Sequence, residues 1–97
     1  MNKEDHDNLC KFLREKIAAR GTSPTPGALQ RMPHLIRTVF EWGSVDSHEL
    51  VVGNMNNTAA LMVLERVGLF KRAHGQIVMS KVLERHIEDN NLFPDLV

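Results

Sequence analysis

Apolar residues recur along this chain with two different periods, and the change from one to the other organises the reading of its elements. Between Lys3 and Ala19, Leu9, Leu13 and Ile17 repeat every fourth residue with Phe12 beside them, which predicts an amphipathic helix with one buried stripe. Asp5 and Asp7 near its start and Lys16 and Arg20 near its end complement the helix dipole. Gly21 supplies a stop, and GTSPTPG (Gly21 to Gly27) predicts a turn or short linker. A second helical region covers Ala28 to Trp42. Proline is comfortable in a first turn and disruptive in a helix interior. The expectation is therefore a short turn over Leu29 to Met32 and a helix from about Pro33. That helix would bury Leu35, Ile36, Val39 and Phe40, with Trp42 anchoring the core and Gly43 ending it.

Val45 stands alone as an apolar residue and is a candidate short strand. Asp46 and Glu49 have capping-box spacing, ahead of a short helix over Ser47 to Val52 with Leu50 and Val51 inward. Gly53 and Asn54 predict a tight turn, and Asn56 is the expected N-cap of a longer helix. Over Asn57 to Val67, Ala60, Leu61, Leu64 and Val67 keep the helical spacing. At Gly68 that period ends, and Leu69 is placed to fold back in a Schellman stop. LFKRA and QIVMS then flank His74-Gly75, which predicts two short strands joined by a tight turn. A lone hairpin is marginal in water, so it must pack on helices or pair with the strand at Val45. Ser80 is the expected N-cap of a last helix to about Asn90, with the stripe Val82, Leu83, His86 and Ile87. In the tail NNLFPDLV, Pro94 prevents helix continuation, and the segment either docks on the domain or reaches a partner.

From Val39 to Met79 the order of parts resembles a winged helix-turn-helix domain of the kind found in small bacterial and phage transcription regulators. The residues carrying the likeness are Gly43, Val45, Asp46, Leu50, Asn56, Thr58, Ala60, Leu61, Leu64, Gly68 and Leu69, followed by Lys71 and Arg72. It covers under half of the chain and points to no single family. The resemblance implies a mainly α fold with a small β-hairpin, in one domain over residues 1–97. Its parts are an N-terminal helix and linker (1–32), a winged core (33–80), and a C-terminal helix and tail (81–97). In this architecture the helix after the turn enters the major groove. The likeness would put Asn56, Asn57, Thr58, Ala59, Met62 and Arg66 on the reading face. Lys71, Arg72, His74 and Gln76 would lie on the wing, and Ser47 and His48 near phosphates at the start of the preceding helix. Asparagine can pair bidentately with adenine, and threonine can bond a base edge or phosphate. The implied function is a DNA-binding transcription regulator. It would act as a homodimer reading two half-sites, joined through the first helix, the last helix or the LFPDLV tail.

Composition narrows the alternatives. Ninety-seven residues build one hydrophobic core. The 42% apolar and 25% charged residues suit a soluble globular protein. No apolar run reaches the roughly 18 residues of a membrane span, and MNKEDHDNLC does not read as a signal peptide. The single Cys10 cannot form an internal disulfide, which fits a cytoplasmic location; its place near the first stripe predicts a small core residue. The histidines at 6, 34, 48, 74 and 86 lack metal-ligand spacing, so no metal and no cofactor is expected. With no phosphate loop and no nucleophile motif, the sequence predicts a protein that is not an enzyme.

Net charge is zero but unevenly spread. Lys11, Arg14, Lys16, Arg20, Arg31 and Arg37 are opposed only by Glu15 within that span, and Arg66, Lys71, Arg72 and Lys81 are accompanied by Glu65 alone. A basic face is compatible with this, although the balance is weaker than nucleic-acid binders usually show. Capping alone accounts for Asn56, Asn57 and Thr58, and edge-strand charge accounts for Lys71 and Arg72. Ala59, Met62 and Val63 also make the reading helix apolar where polar and basic side chains are the norm. A second expectation follows, a protein-interaction module that grips a partner through Met62, Val63 and the C-terminal tail as an adaptor or a phage- or plasmid-type inhibitor. RNA and single strands are disfavoured by the few aromatics and the absence of tyrosine.

Overall fold

Helices in this chain begin where a side chain can take up one of the free N–H groups of the first turn. In the computed structural model, which describes residues 1–96, Asn2 accepts from the Asp5 N–H at 2.8 Å and starts α1 (Lys3–Ala19). Thr25 does the same for Ala28 at 3.2 Å and starts α2 (Pro26–Trp42), with Pro26 in its first turn. The expected break before Pro33 is absent, because α2 runs through it. An interior proline costs about 3 kcal/mol. The buried face of α2 continues on both sides of it, with Met32 before and Leu35, Ile36 and Val39 after. Each of these contributes roughly 1.5–3 kcal/mol on burial, so packing outweighs the local penalty.

After α2 come β1 (Ser44–Asp46), α3 (Ser47–Val51), α4 (Met55–Arg66), β2 (Phe70–Ala73), β3 (Gln76–Met79) and α5 (Lys81–Asn90), then a single 3-10 turn at Pro94–Leu96. The result is mainly helical with one small antiparallel sheet of order β1-β3-β2. Val45 does supply the third strand, pairing with Ile77, and both are buried against the helical core. At the end of α4 the Gly68 N–H bonds to the Glu65 carbonyl at 3.1 Å and the Leu69 N–H to the Leu64 carbonyl at 3.0 Å, the paired bonds of a Schellman stop. Gly68 takes φ +78°, which glycine adopts without strain. The hairpin turns at His74 and Gly75, both with positive φ, as a two-residue turn with the right-handed twist of its strands demands.

Several boundaries and burial expectations are corrected. Helix α4 starts earlier than Asn57, because Asn54 rather than Asn56 is its cap, accepting from the Asn56 N–H at 2.8 Å. Asn54 is extended, so Gly53 alone supplies the positive-φ residue of the preceding turn. Asp46 caps α3 through the His48 N–H at 2.8 Å rather than through Glu49. Trp42 is 71% exposed, since Val39 is the last buried residue of α2. Val82 is exposed, and Leu83 and Ile87 carry the buried stripe of α5. Cys10 is half-buried rather than a core residue, and burial pushes its thiol up. None of the helices among the described residues is long and apolar enough to cross a membrane.

The tail folds back. Leu92 and Phe93 are buried, and the Phe93 ring lies 5.5 Å from that of Phe40. The Arg37 guanidinium sits 5.7 Å from the Phe93 ring and pairs with Asp95, whose carboxyl it holds below the usual range. Val97, the last residue of the expected tail, lies outside the described residues.

Helices α1 and α5 are joined by a directional polar network. The Asn90 Nδ2 donates to the His86 carbonyl at 2.8 Å, which fixes the orientation of that amide. Asn90 Oδ1 therefore accepts from Asn8 Nδ2 at 3.3 Å, and Asn8 Oδ1 accepts from His86 Nε2 at 2.7 Å. Nε2 thus carries a proton, and Nδ1 is left to accept from Asn90 Nδ2 at 3.4 Å. The network fits neutral His86, whose ring also stacks on Phe12 with centroids 4.0 Å apart. Burial lowers the His86 pKa from 6.5, opposed by Asp89 and Glu15 and reinforced by Lys16. Because the folded value lies below the unfolded one, this contribution is complete above about pH 6.5 and is lost as pH falls from there through the lowered value. Thermal melts between about pH 8 and about pH 5 should show acid destabilisation that becomes shallower in His86→Phe. An identical pH slope in that variant would remove His86 as its source.

Candidate nucleic-acid interface

Once Asn54 is the cap, the phase of α4 puts Met55, Thr58, Ala59, Met62 and Arg66 on one stripe, at the i, i+3, i+4, i+7 and i+11 positions. Met55 is 91% exposed and Met62 65%, while Thr58 and Arg66 are exposed and Ala59 half-buried. Between this stripe, the start of α3 and the hairpin lies an open groove of about 310 Å³, lined by Ser47, His48, Val51, Thr58, Leu61, Met62 and Arg72. Five of the expected site residues meet there: Ser47, His48, Thr58, Met62 and Arg72. A neighbouring apolar hollow is formed by Ala59, Met62, Val63 and Arg66.

The hairpin is anchored to this groove at both ends. The Ser47 N–H bonds to the Gly75 carbonyl at 3.3 Å, tying the start of α3 to the turn. Arg72 donates through Nη2 to Glu65 Oε1 at 2.7 Å and through Nη1 to Ser47 Oγ at 3.2 Å, joining β2 to both α4 and α3. The bonded carboxylate raises the Arg72 pKa and offsets its charge locally. Lys71 is exposed and makes no ion pair among the described residues. His74 is exposed at the tip of the turn, in the left-handed region at φ +54°.

Three expected residues stand elsewhere. Asn57 is 4% exposed and turned inward, where its Oδ1 accepts from Arg31 Nε at 2.7 Å and links α4 to α2. Asn56 is exposed, but its amide packs over Gly27, where a Cβ would come within 2.7 Å of Asn56 Oδ1. Gln76 is half-buried opposite Asp46 and Ala73 in the sheet, and lines a different hollow with Trp42, Asp46 and Glu49. Sequence reasoning missed Met55 and Val52, the latter 72% exposed at the corner between α3 and α4. The signal for Met55 was present in Gly53-Asn54, a turn residue followed by a good cap, which sets the phase of α4.

The surface offers an apolar stripe with one hydroxyl, ended by the Arg66 cation, with His48 and the paired Arg72 in the groove beside it, while Lys71 and His74 are exposed on the hairpin. Comparison with protein-family models, with curated proteins and with solved structures returns no match to this chain.

Proposed function

We propose that this chain is a winged helix-turn-helix protein that binds double-stranded DNA as a transcription regulator, with α4 as the reading helix and β2–β3 as the wing. The observation that carries the reading is topological. The unit α2-β1-α3-α4-β2-β3 closes a sheet of order β1-β3-β2 and leaves the Met55 to Arg66 stripe free beside a hairpin bearing Lys71 and His74. A helix about 10–12 Å across fits a major groove of similar width. With α4 in that groove, Thr58 and Met62 meet base edges, and Arg66 and Lys71 meet flanking phosphates. His48 borders the backbone, and His74 reaches along it from the wing. A module this small has little contact area, so a homodimer on two half-sites supplies the affinity. No role in catalysis is assigned to any residue. Gel shifts with random and genomic duplexes should show retention at micromolar protein; a complete lack of retention on every duplex would refute the proposal.

A second reading is favoured by one observation, the exposure of Val52, Met55 and Met62 together on a neutral protein. Exposed apolar patches mark partner surfaces, and on this reading the same corner holds a protein. The tail contributes little to it, since Leu92 and Phe93 are buried in the chain's own core. Met62→Lys separates the two: it should preserve or strengthen retention of non-specific duplex by adding a cation, whereas it should abolish an apolar protein contact.

A further inference from the structure

We infer that the DNA recognised by α4 is rich in A·T pairs and is read through the methyl groups of thymine. The inference rests on the duplex-binding reading above and specifies its ligand. In the major groove guanine presents two acceptors that call for Arg or Lys, and cytosine an amino donor that calls for a carboxylate. Adenine suits an amide, and thymine offers an apolar methyl. The stripe of α4 holds exposed Met55, Thr58 and Met62 with half-buried Ala59, and no cation precedes Arg66 at its C-terminal end. The single carboxylate on α4, that of Glu65, is bonded to Arg72. Asn57 is buried on Arg31, which removes one of the two amides of the first turn. The helix therefore lacks the cation and the free carboxylate that best suit guanine and cytosine, keeps one hydroxyl that serves any base, and presents two long thioether side chains and the Thr58 methyl.

The energetics separate the base pairs in the same direction. Pressing Met55 and Met62 against either pair desolvates polar base edges, O6 and N7 of guanine or O4 of thymine and N7 of adenine, at a cost, and only thymine returns an apolar contact. Against thymine the same side chains bury a methyl, and each buried methyl changes affinity by roughly fourfold. Charge complementarity places the strip on DNA rather than in an apolar cleft. Arg66 ends the strip and Lys71 stands exposed on the neighbouring hairpin, both available to the phosphates that border the groove floor.

The experiment selects bound duplexes from a random pool, then compares the selected duplex with one in which every thymine is replaced by deoxyuridine. That replacement removes the methyl and keeps the hydrogen-bonding edge. The expected result is A·T enrichment in the selected sites, a loss of affinity of roughly fourfold per contacted methyl, and a thymine-to-uracil ratio driven towards one by Met62→Ala with the salt dependence unchanged. Selected sites rich in G·C, or equal affinity for the thymine and deoxyuridine duplexes, would overturn the inference while leaving duplex binding in place. Absence of salt-sensitive retention on any duplex, as a protein-binding strip would give, overturns the duplex-binding reading and the inference with it.

Discussion

Replacing Phe93 with alanine is expected to cost about 3–5 kcal/mol of unfolding free energy, the range for an aromatic ring removed from a core. Domains of this kind are stabilised by only about 5–15 kcal/mol, so the variant should melt far below the parent protein. The expectation rests on what the ring touches. Phe93 is 2% exposed, its ring packs beside Phe40, and the Arg37 guanidinium lies over it while pairing with Asp95. The chain reaches this position because Asn91 turns into the left-handed region after α5, with the Leu92 N–H bonded to the Ile87 carbonyl at 3.1 Å. Removing the ring leaves a cavity between α2 and the end of α5 and takes away the surface on which Arg37 rests. Phe93→Leu, which keeps much of the volume, should lose considerably less. Urea unfolding measures both, and a loss under about 1 kcal/mol for the alanine variant would mean that the tail is not part of the core.

The second large effect is expected at the wing. Reversing both charges, Lys71→Glu with Arg72→Glu, should reduce duplex affinity by at least about a hundredfold near 0.1 M salt, because phosphate neutralisation supplies most non-specific binding. The two positions act differently. Lys71 is exposed without an ion pair among the described residues, so its charge is available to a phosphate. Arg72 shares its charge with Glu65, and substituting it also leaves the Glu65 carboxylate uncompensated beside the proposed interface. Arg72→Ala alone should therefore weaken binding by more than the loss of one contact. The surface pair contributes little to stability, so the variants should melt close to the parent. Anisotropy of a labelled duplex measures the effect, and an undiminished affinity in the double variant would exclude the wing from the interface.

Much of the fold was legible because short-range chemistry decides it. Gly68-Leu69 could only end a helix, His74-Gly75 suits a two-residue hairpin, and Ser80 caps α5 through the Leu83 N–H as its residue type suggests. Where the expectation failed, the surroundings of a residue outweighed its own preference. Pro33 marks a helix start in isolation, yet the buried face on both sides of it carries α2 across. Asn54, Asn56 and Asn57 are each good caps by type, and only the turn at Gly53 selects the first of them. Trp42 extends the apolar stripe of α2 in sequence but lies beyond its last buried residue.

The site divides in the same way. Lys71 and His74 were legible as exposed groups because one is a charge on an edge strand and the other sits at a hairpin tip. The inward turn of Asn57 depends on Arg31, twenty-six positions earlier in the chain, and the neutralisation of Arg72 depends on Glu65 across the α4–β2 junction. Neither pairing leaves a periodic or spacing signal. The exposed Met55 followed from the cap once its position was known, so one misplaced helix start concealed part of the candidate interface.

The most direct test of the central claim is the affinity of the intact protein for a duplex measured across about 50–200 mM salt. Binding through α4 and the wing should give a log affinity that falls linearly with log salt, with a slope of about −0.9 per phosphate neutralised, and a shallower slope in Lys71→Glu. A duplex affinity that is flat across that range, or no measurable binding even at its lowest salt, would contradict the claim.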